Sequence, residues 1–218
     1  MSKSSQASSA PCLRGAGRPK ANDVEARMHD LIDVAARLFL TNGYTRTSLE
    51  AIARAARVAV RTIYVKFGGK AGLLEAVLLS RREEFFRIPD MENDMRPFRA
   101  IVDDFARQFF DLLCQDQLIA MQRVVIAEAA DNPELAHTFY DAGPRLTREM
   151  LERFFARPDI RAQLREDLPF EQLPAFLISW ISGDAMQRFV FPHDQPTRVE
   201  AHRLLAQRLE LFYRAVLR

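Results

Sequence analysis

Between Arg57 and Lys70 the chain places Val60, Arg61, Thr62, Tyr64, Val65 and Lys66 in one short run. A guanidinium offers parallel N–H donors that match O6 and N7 of guanine, a valine methyl can lie against a thymine methyl, and hydroxyl and ammonium groups grip phosphates. Arg61 is therefore the candidate for reading a base, with a discrimination of about 1–3 kcal/mol. Val60 and Val65 are candidates for thymine contact. Thr62, Tyr64, Lys66, Lys70 and, upstream, Thr47 suit phosphates, and Arg57 adds a positive charge near the same place. These residue types point to recognition of double-stranded DNA rather than to catalysis.

These groups act together only if one helix carries them, because the major groove admits a helix and the residues at its N-terminus reach base edges. The sequence supplies the elements. From Asp23 the apolar residues Val24, Met28, Leu31, Ile32, Ala35, Leu38 and Phe39 follow a 3.6-residue period, and Asn42-Gly43 gives a left-handed stop. Thr47 and Glu50 fit a T-x-x-E capping box that opens a short second helix with Leu49, Ile52, Ala53 and Ala56 inward. A third helix spans about Val60 to Lys66 and buries Ile63 and Phe67. Two residues depart from ideal turn chemistry: Arg57 stands where glycine serves a left-handed position, and Ala59 where Ser or Thr caps a helix. Together these features predict a helix-turn-helix at residues 22–70, followed by a connector helix at 71–88.

The charge distribution agrees with that reading. Residues 1–70 hold 12 Lys+Arg against 5 Asp+Glu, whereas the overall charge is only +2. A basic N-terminal third is the footprint of a polyanion-binding surface. Residues 1–21, rich in Ser, Ala and Gly and ending in RGAGRPK, are expected to be a disordered basic tail able to lie in a minor groove.

Beyond the connector, apolar-periodic segments at about 95–114, 117–130, 133–156, 172–191 and 197–217 are separated by Asn132-Pro133, Arg157-Pro158, Leu168-Pro169 and Phe191-Pro192. No strand pattern occurs, so the fold class is all-α, with a helical bundle at 89–218. Cys12 and Cys114 are too few for a disulfide framework or a zinc site, and suit a reducing cytoplasm. No apolar run approaches the roughly 20 residues of a membrane span. GGKA at Gly68–Ala71 lacks the glycine spacing, the preceding strand and the Ser or Thr of a phosphate loop. His29, His137, His193 and His202 form no i, i+4 pair for a metal. Neither an enzyme nor a cofactor is expected.

The run FLTNGYTRTSLEAIARAARVAVRTIYVKFGGKAGLLEAVL resembles the N-terminal DNA-binding domain of the TetR family of transcriptional regulators. The match lies in Asn42, Gly43 and Tyr44 after the first helix, Thr47, Ser48, Ile52 and Ala53 in the second, and Thr62, Ile63, Tyr64 and Phe67 in the third. The departures are Arg57, Ala59, Lys66 and Gly69. The segment RVVIAEAADNPELAHTFYDAGP resembles the C-terminal domain of AefR-type and AcrR-like repressors.

This resemblance implies a homodimer joined through the last two long helices, a ligand cavity in the second domain, and a cytoplasmic repressor released from a pseudo-palindromic operator by a small apolar or amphipathic effector. For the dimer interface the candidates are Leu173, Phe176, Leu177, Trp180, Ile181 and Gly183 on one helix, with Leu204, Leu205, Arg208, Leu211, Phe212 and Ala215 on the other. For the cavity they are Phe105, Phe109, Met121, Phe139 and Trp180, with Glu128 and His137 as polar anchors. The alternative is a dimeric DNA-binding regulator whose second domain binds no small molecule and serves only dimerisation or protein contacts.

Overall fold

The computed structural model describes residues 21–85, 90–184 and 196–218. The expected basic tail up to residue 20, the connector beyond Phe85 and the continuation of the 172–191 segment past Asp184 lie outside these residues. The described elements are helical: α1 (Ala21–Asn42), α2 (Leu49–Ala55), α3 (Val60–Phe67), α4 (Lys70–Phe85), α5 (Phe98–Leu113), α6 (Asp116–Glu128), α7 (Pro133–Tyr140), α8 (Leu146–Ala156), a single turn α9 (Pro158–Arg161), α10 (Leu173–Ser182) and α11 (Arg198–Val216). The nearest approach to a strand among them is an isolated bridge between Leu164 and Leu217. Ala21, expected in the tail, opens α1.

Two apolar clusters organise the chain. Leu31, Ala35 and Phe39 of α1, Ile52 and Ala53 of α2, Ile63 of α3 and Leu73, Leu74 and Val77 of α4 form the first. That cluster also takes in Met121 and Val125 of α6 and Leu135 of α7, so α1–α3, the expected DNA-reading head, are packed directly onto the second half of the chain. The second cluster is built on α5, whose Phe98, Ile101, Val102, Phe105, Ala106, Phe109 and Phe110 recur every three or four residues on one face. It packs against Met150, Leu151, Phe154 and Phe155 of α8, Leu173, Leu177 and Ile181 of α10, and Leu205, Leu209 and Phe212 of α11. The aromatic rings meet in stacked and edge-on pairs, such as Phe98 with Phe154 at 5.9 Å and Phe98 with Tyr213 at 6.1 Å.

The predicted segment 133–156 is divided. Pro144 has no N–H to give, and the helical path widens to a π-turn at Asp141–Arg145 before resuming as α8.

Candidate nucleic-acid interface and regulatory cavity

The start of α2 differs from the capping-box reading. Ser48 is the cap, its hydroxyl accepting from Ala51 N at 3.1 Å. Thr47 is buried, and its hydroxyl lies 2.7 Å from Gly43 O and 3.1 Å from Leu38 O. Leu38 lies in the last turns of α1 and Gly43 in the loop that follows it. Thr47 therefore ties α1 to α2, and its side chain is not a phosphate ligand.

The turn closes around Arg57. Val58 N donates to Ala53 O at 2.9 Å and Arg57 N to Arg54 O at 3.3 Å, the paired bonds of a Schellman stop. Arg57 holds the left-handed position with φ 55°, the only non-glycine with positive φ among the described residues. Ala59 precedes α3 with no side-chain cap bond, and Thr62 N instead donates to Ala59 O at 2.8 Å. Ile63 is the anchor of α3 in the core. Opposite it, Arg61, Tyr64, Val65 and Lys66 are exposed, with Val65 70% and Tyr64 56% accessible. Val60 and Thr62 are half-buried. Arg54 and Arg57 are exposed as well; Arg54 stands at the end of α2 rather than on α3, so the pattern of α3 does not point to it.

Lys70 is already engaged. Its ammonium donates to Thr45 O at 3.2 Å and lies 4.3 Å from the centre of the Tyr44 ring. Burial lowers its pKa, against the opposing pull of Glu128 and Glu134. Burial likewise pushes the Tyr44 hydroxyl up to about 12, with Glu134 adding to the effect.

Glu128 is not a ligand anchor. At the end of α6, its carboxylate accepts from Tyr44 N at 3.0 Å, Thr45 N at 2.7 Å and Thr45 Oγ1 at 2.6 Å. Asn132 adds a bond to Thr45 Oγ1 at 2.9 Å. Burial alone would raise the Glu128 pKa; the bonds from Thr45 and Tyr44, with Lys70 nearby, outweigh it and hold the group below the ordinary carboxylate value. Gly43, at φ 85°, makes room, since a β-carbon there would strike the Glu128 carboxylate. A carboxylate of the second half of the chain thus clamps the loop that leads into the reading head.

A cavity of about 250 Å³ lies between α1 and α4 on one side and α5, α6, α7, α8 and α10 on the other. Of the residues proposed for such a space, Phe109, Met121 and Phe139 line it. Phe105 is sealed in the core, stacked on Phe109 at 5.4 Å, and Trp180 packs on Phe212 at 6.3 Å. His137 is exposed, with Nδ1 2.8 Å from Pro133 O. The wall also includes Ala36, Leu78, Arg81, Gln122 and, from the π-turn, Ala142, Gly143 and Pro144, none of which the sequence singled out.

The proposed dimer residues divide as well. Leu173, Leu177, Ile181, Leu205 and Phe212 are buried within the chain, so they are core and not interface. Arg208 is half-buried over the Phe110 ring and against Gly183, whose φ of 55° and lack of a side chain leave that space. Phe176, Leu204, Leu211, Ala215 and Gly183 are exposed, and Trp180 is half-buried. Leu204, Leu211 and Ala215 recur at helical spacing along α11, and Phe176 stands on the adjoining α10. No described helix is long and apolar enough to cross a membrane.

Comparison with known proteins follows these divisions. Residues 31–77 match the family described as bacterial regulatory proteins, tetR family, and residues 100–215 match the AefR-like transcriptional repressor C-terminal domain. An HTH-type transcriptional regulator of Mycobacterium tuberculosis is 27% identical over 178 residues, covering 79% of this chain and 80% of the relative. The flavonoid-responsive regulator FrrA has a similar structure, with a TM-score of 0.68, 27% identity and coverage of 88% of this chain and 98% of FrrA. NalD, the secondary repressor of the MexAB-OprM multidrug efflux pump in Pseudomonas aeruginosa, shares the fold with a TM-score of 0.62 at 24% identity, covering 90% of this chain and 98% of NalD. With an exposed basic recognition helix at one end and matches that together span most of its length, the chain belongs to the TetR family of DNA-binding transcriptional regulators.

Proposed function

We propose that this regulator is a repressor, binding a pseudo-palindromic operator as a homodimer and leaving it when a small effector fills the cavity. The observation that carries the reading is the cavity wall itself. Ala36 and Leu40 of α1 and Val77 and Leu78 of α4 face Phe109, Met121 and Phe139 across it, so an occupant touches the reading head directly. A ligand shifts a conformational equilibrium only by its differential affinity for the two states. One that wedges these walls apart has that differential, and the clamp of Glu128 on Tyr44 and Thr45 carries the displacement to the loop before α2. FrrA, flavonoid-responsive by name, and NalD, a repressor by name, lend support.

In this reading Arg61 contacts a base, Val60 and Val65 meet thymine methyls, and Arg57, Thr62, Tyr64, Lys66 and Lys70 hold phosphates. The exposed stripe of Phe176, Gly183, Leu204, Leu211 and Ala215 joins the two copies, since a two-fold dimer presents two recognition helices to paired half-sites.

The test begins by selecting genomic fragments that the purified protein retains, then measuring binding of wild type, Arg61→Ala and Lys66→Ala. Arg61→Ala should flatten preference at one base position per half-site. Lys66→Ala should weaken all sites alike and reduce the salt slope by about one per half-site contacted. Retained fragments that no cavity-filling compound releases would favour the effector-free regulator instead.

A further inference from the structure

The cavity wall specifies what it can hold. Among the described residues that line it, only Arg81 is charged, and its guanidinium already bonds the Asp33 carboxylate of α1 at 2.7 Å. Among the described residues that line it none is acidic, and Asp33 is already bound to Arg81, so a cation would be desolvated with no carboxylate to balance it. An anion would have to compete with Asp33 for a charge that is already neutralised. The remaining wall is mostly Leu, Phe, Met, Val and Ala.

Among the uncharged side chains described on the wall, one buried polar atom is unsatisfied. Gln122 of α6 lines the cavity, and its amide oxygen is buried without a hydrogen-bond partner. Thr147, also on the wall, already gives its hydroxyl to Gly143 O at 3.2 Å. Buried polar atoms are rarely left unpaired without a reason, and a bound molecule is one such reason. The terminal torsion of glutamine is soft, so the amide can turn toward an occupant without leaving its rotamer. A hydroxyl suits either face of the amide, since it donates to the oxygen and accepts from the nitrogen.

Size limits the class further. About 250 Å³ is just below the roughly 300–1,000 Å³ of small-molecule sites, which suits two fused rings or one ring with a short chain.

We propose that the effector is a compact, uncharged, mainly apolar molecule whose single hydroxyl pairs with Gln122 while its apolar body presses α1 and α4 away from α5 and α6. This rests on the effector-released reading above and names the chemistry of that site.

The experiment compares matched probes by calorimetry with the full-length protein at pH 7. The pairs are 2-naphthol with naphthalene and 4-butylphenol with butylbenzene; 2-naphthoate and 2-naphthyltrimethylammonium supply the two charges. Each phenol should bind about three- to tenfold more tightly than its parent hydrocarbon, the worth of one hydrogen bond. Both charged probes should bind at least tenfold more weakly than 2-naphthol. Gln122→Leu should erase the phenol preference while leaving naphthalene affinity within about twofold, and Gln122→Met, of similar length, should do the same. The naphthalene affinity also reports that each variant keeps an intact cavity. 2-Naphthol should release the genomic fragments that the protein retains, and naphthalene should do so only at higher concentration.

A phenol preference that survives in both variants would overturn the role of Gln122. A charged probe that binds best and releases DNA would overturn the ligand class and leave the effector-released reading standing. If none of the probes binds or releases DNA, the proposed class is refuted; if a broad ligand library also fails to release DNA, the effector-released reading falls with it.

Discussion

Replacing Glu128 tests whether the end of α6 holds the reading head. Its carboxylate takes three hydrogen bonds from Tyr44 and Thr45, residues more than 80 positions away. Bonds to a charged group contribute about 1.5–3 kcal/mol each when buried. Two of these three are exposed to solvent, which reduces them toward the roughly 0.5–1 kcal/mol of surface interactions. The sum for Glu128→Ala is then about 2.5–5 kcal/mol of stability, with the lower end expected because the remaining bond is only part-buried. Glu128→Gln should cost about 1.5 kcal/mol, because one oxygen remains but an amide nitrogen now faces an N–H donor. Urea denaturation at pH 7 measures both. Against Thr45→Val the losses should fail to add by about 1 kcal/mol, since the two side chains share a bond.

Gly43→Ala is a second handle on the same contact. In the parent it suffers both a left-handed φ and a collision with the carboxylate; in Glu128→Ala only the first remains. The pH dependence has a definite sign. The folded pKa of Glu128 lies below its unfolded value, so its contribution is complete above about pH 4.5 and is lost as pH falls through the folded value. Additive losses for Glu128→Ala and Thr45→Val, or a Glu128→Gln cost under about 0.5 kcal/mol with no change near pH 4, would refute the clamp.

Other variants separate packing from recognition. Arg57→Gly should raise stability by about 0.5–1 kcal/mol, the left-handed strain of about 1–2 kcal/mol less the chain entropy of glycine, while weakening operator binding and lowering its salt slope. Ala59→Ser should add about 0.5–1 kcal/mol in thermal denaturation, at the low end for a cap because Thr62 N already has a partner in Ala59 O. Thr47→Val should lose about 1 kcal/mol of stability with an unchanged salt slope of DNA binding; a slope reduced by about one would restore Thr47 as a phosphate ligand. Phe176→Glu combined with Leu211→Glu should give a folded monomer in sedimentation, since both side chains are exposed in the single chain.

What the sequence disclosed depended on how local each determinant is. The period of α1, the Asn42-Gly43 stop and the inward Ile63 are set by neighbours along the chain, and all appear in the structure. Thr47 and Ser48 are adjacent hydroxyls, either able to cap α2; the choice depends on how the loop after α1 brings the Gly43 carbonyl to Thr47, which no local pattern reveals. Along α10 nearly every residue is apolar, so hydrophobic period gives no phase, and buried Leu177 looks the same as exposed Phe176. Phe105 and Phe109 are stacked one turn apart on α5, yet only Phe109 reaches the cavity, because α6 and α10 decide where packing stops.

The reading of Glu128 fails for a deeper reason. Two of its three partners are backbone N–H groups, which every residue but proline carries, and the third is a threonine hydroxyl 83 positions away, so nothing local to Glu128 announces them. The halves also meet through the apolar packing of Met121, Val125 and Leu135, but the polar contacts between them are few and far apart in sequence. Gln122 belongs with Glu128, a polar residue on a helix face whose meaning comes from a cavity built by six other helices and the π-turn. Signals of fold are repeated along the chain and survive the loss of any one residue. In the proposed mechanism coupling depends on single residues, so Glu128 and Gln122 are the positions where one substitution is expected to separate DNA binding from its control.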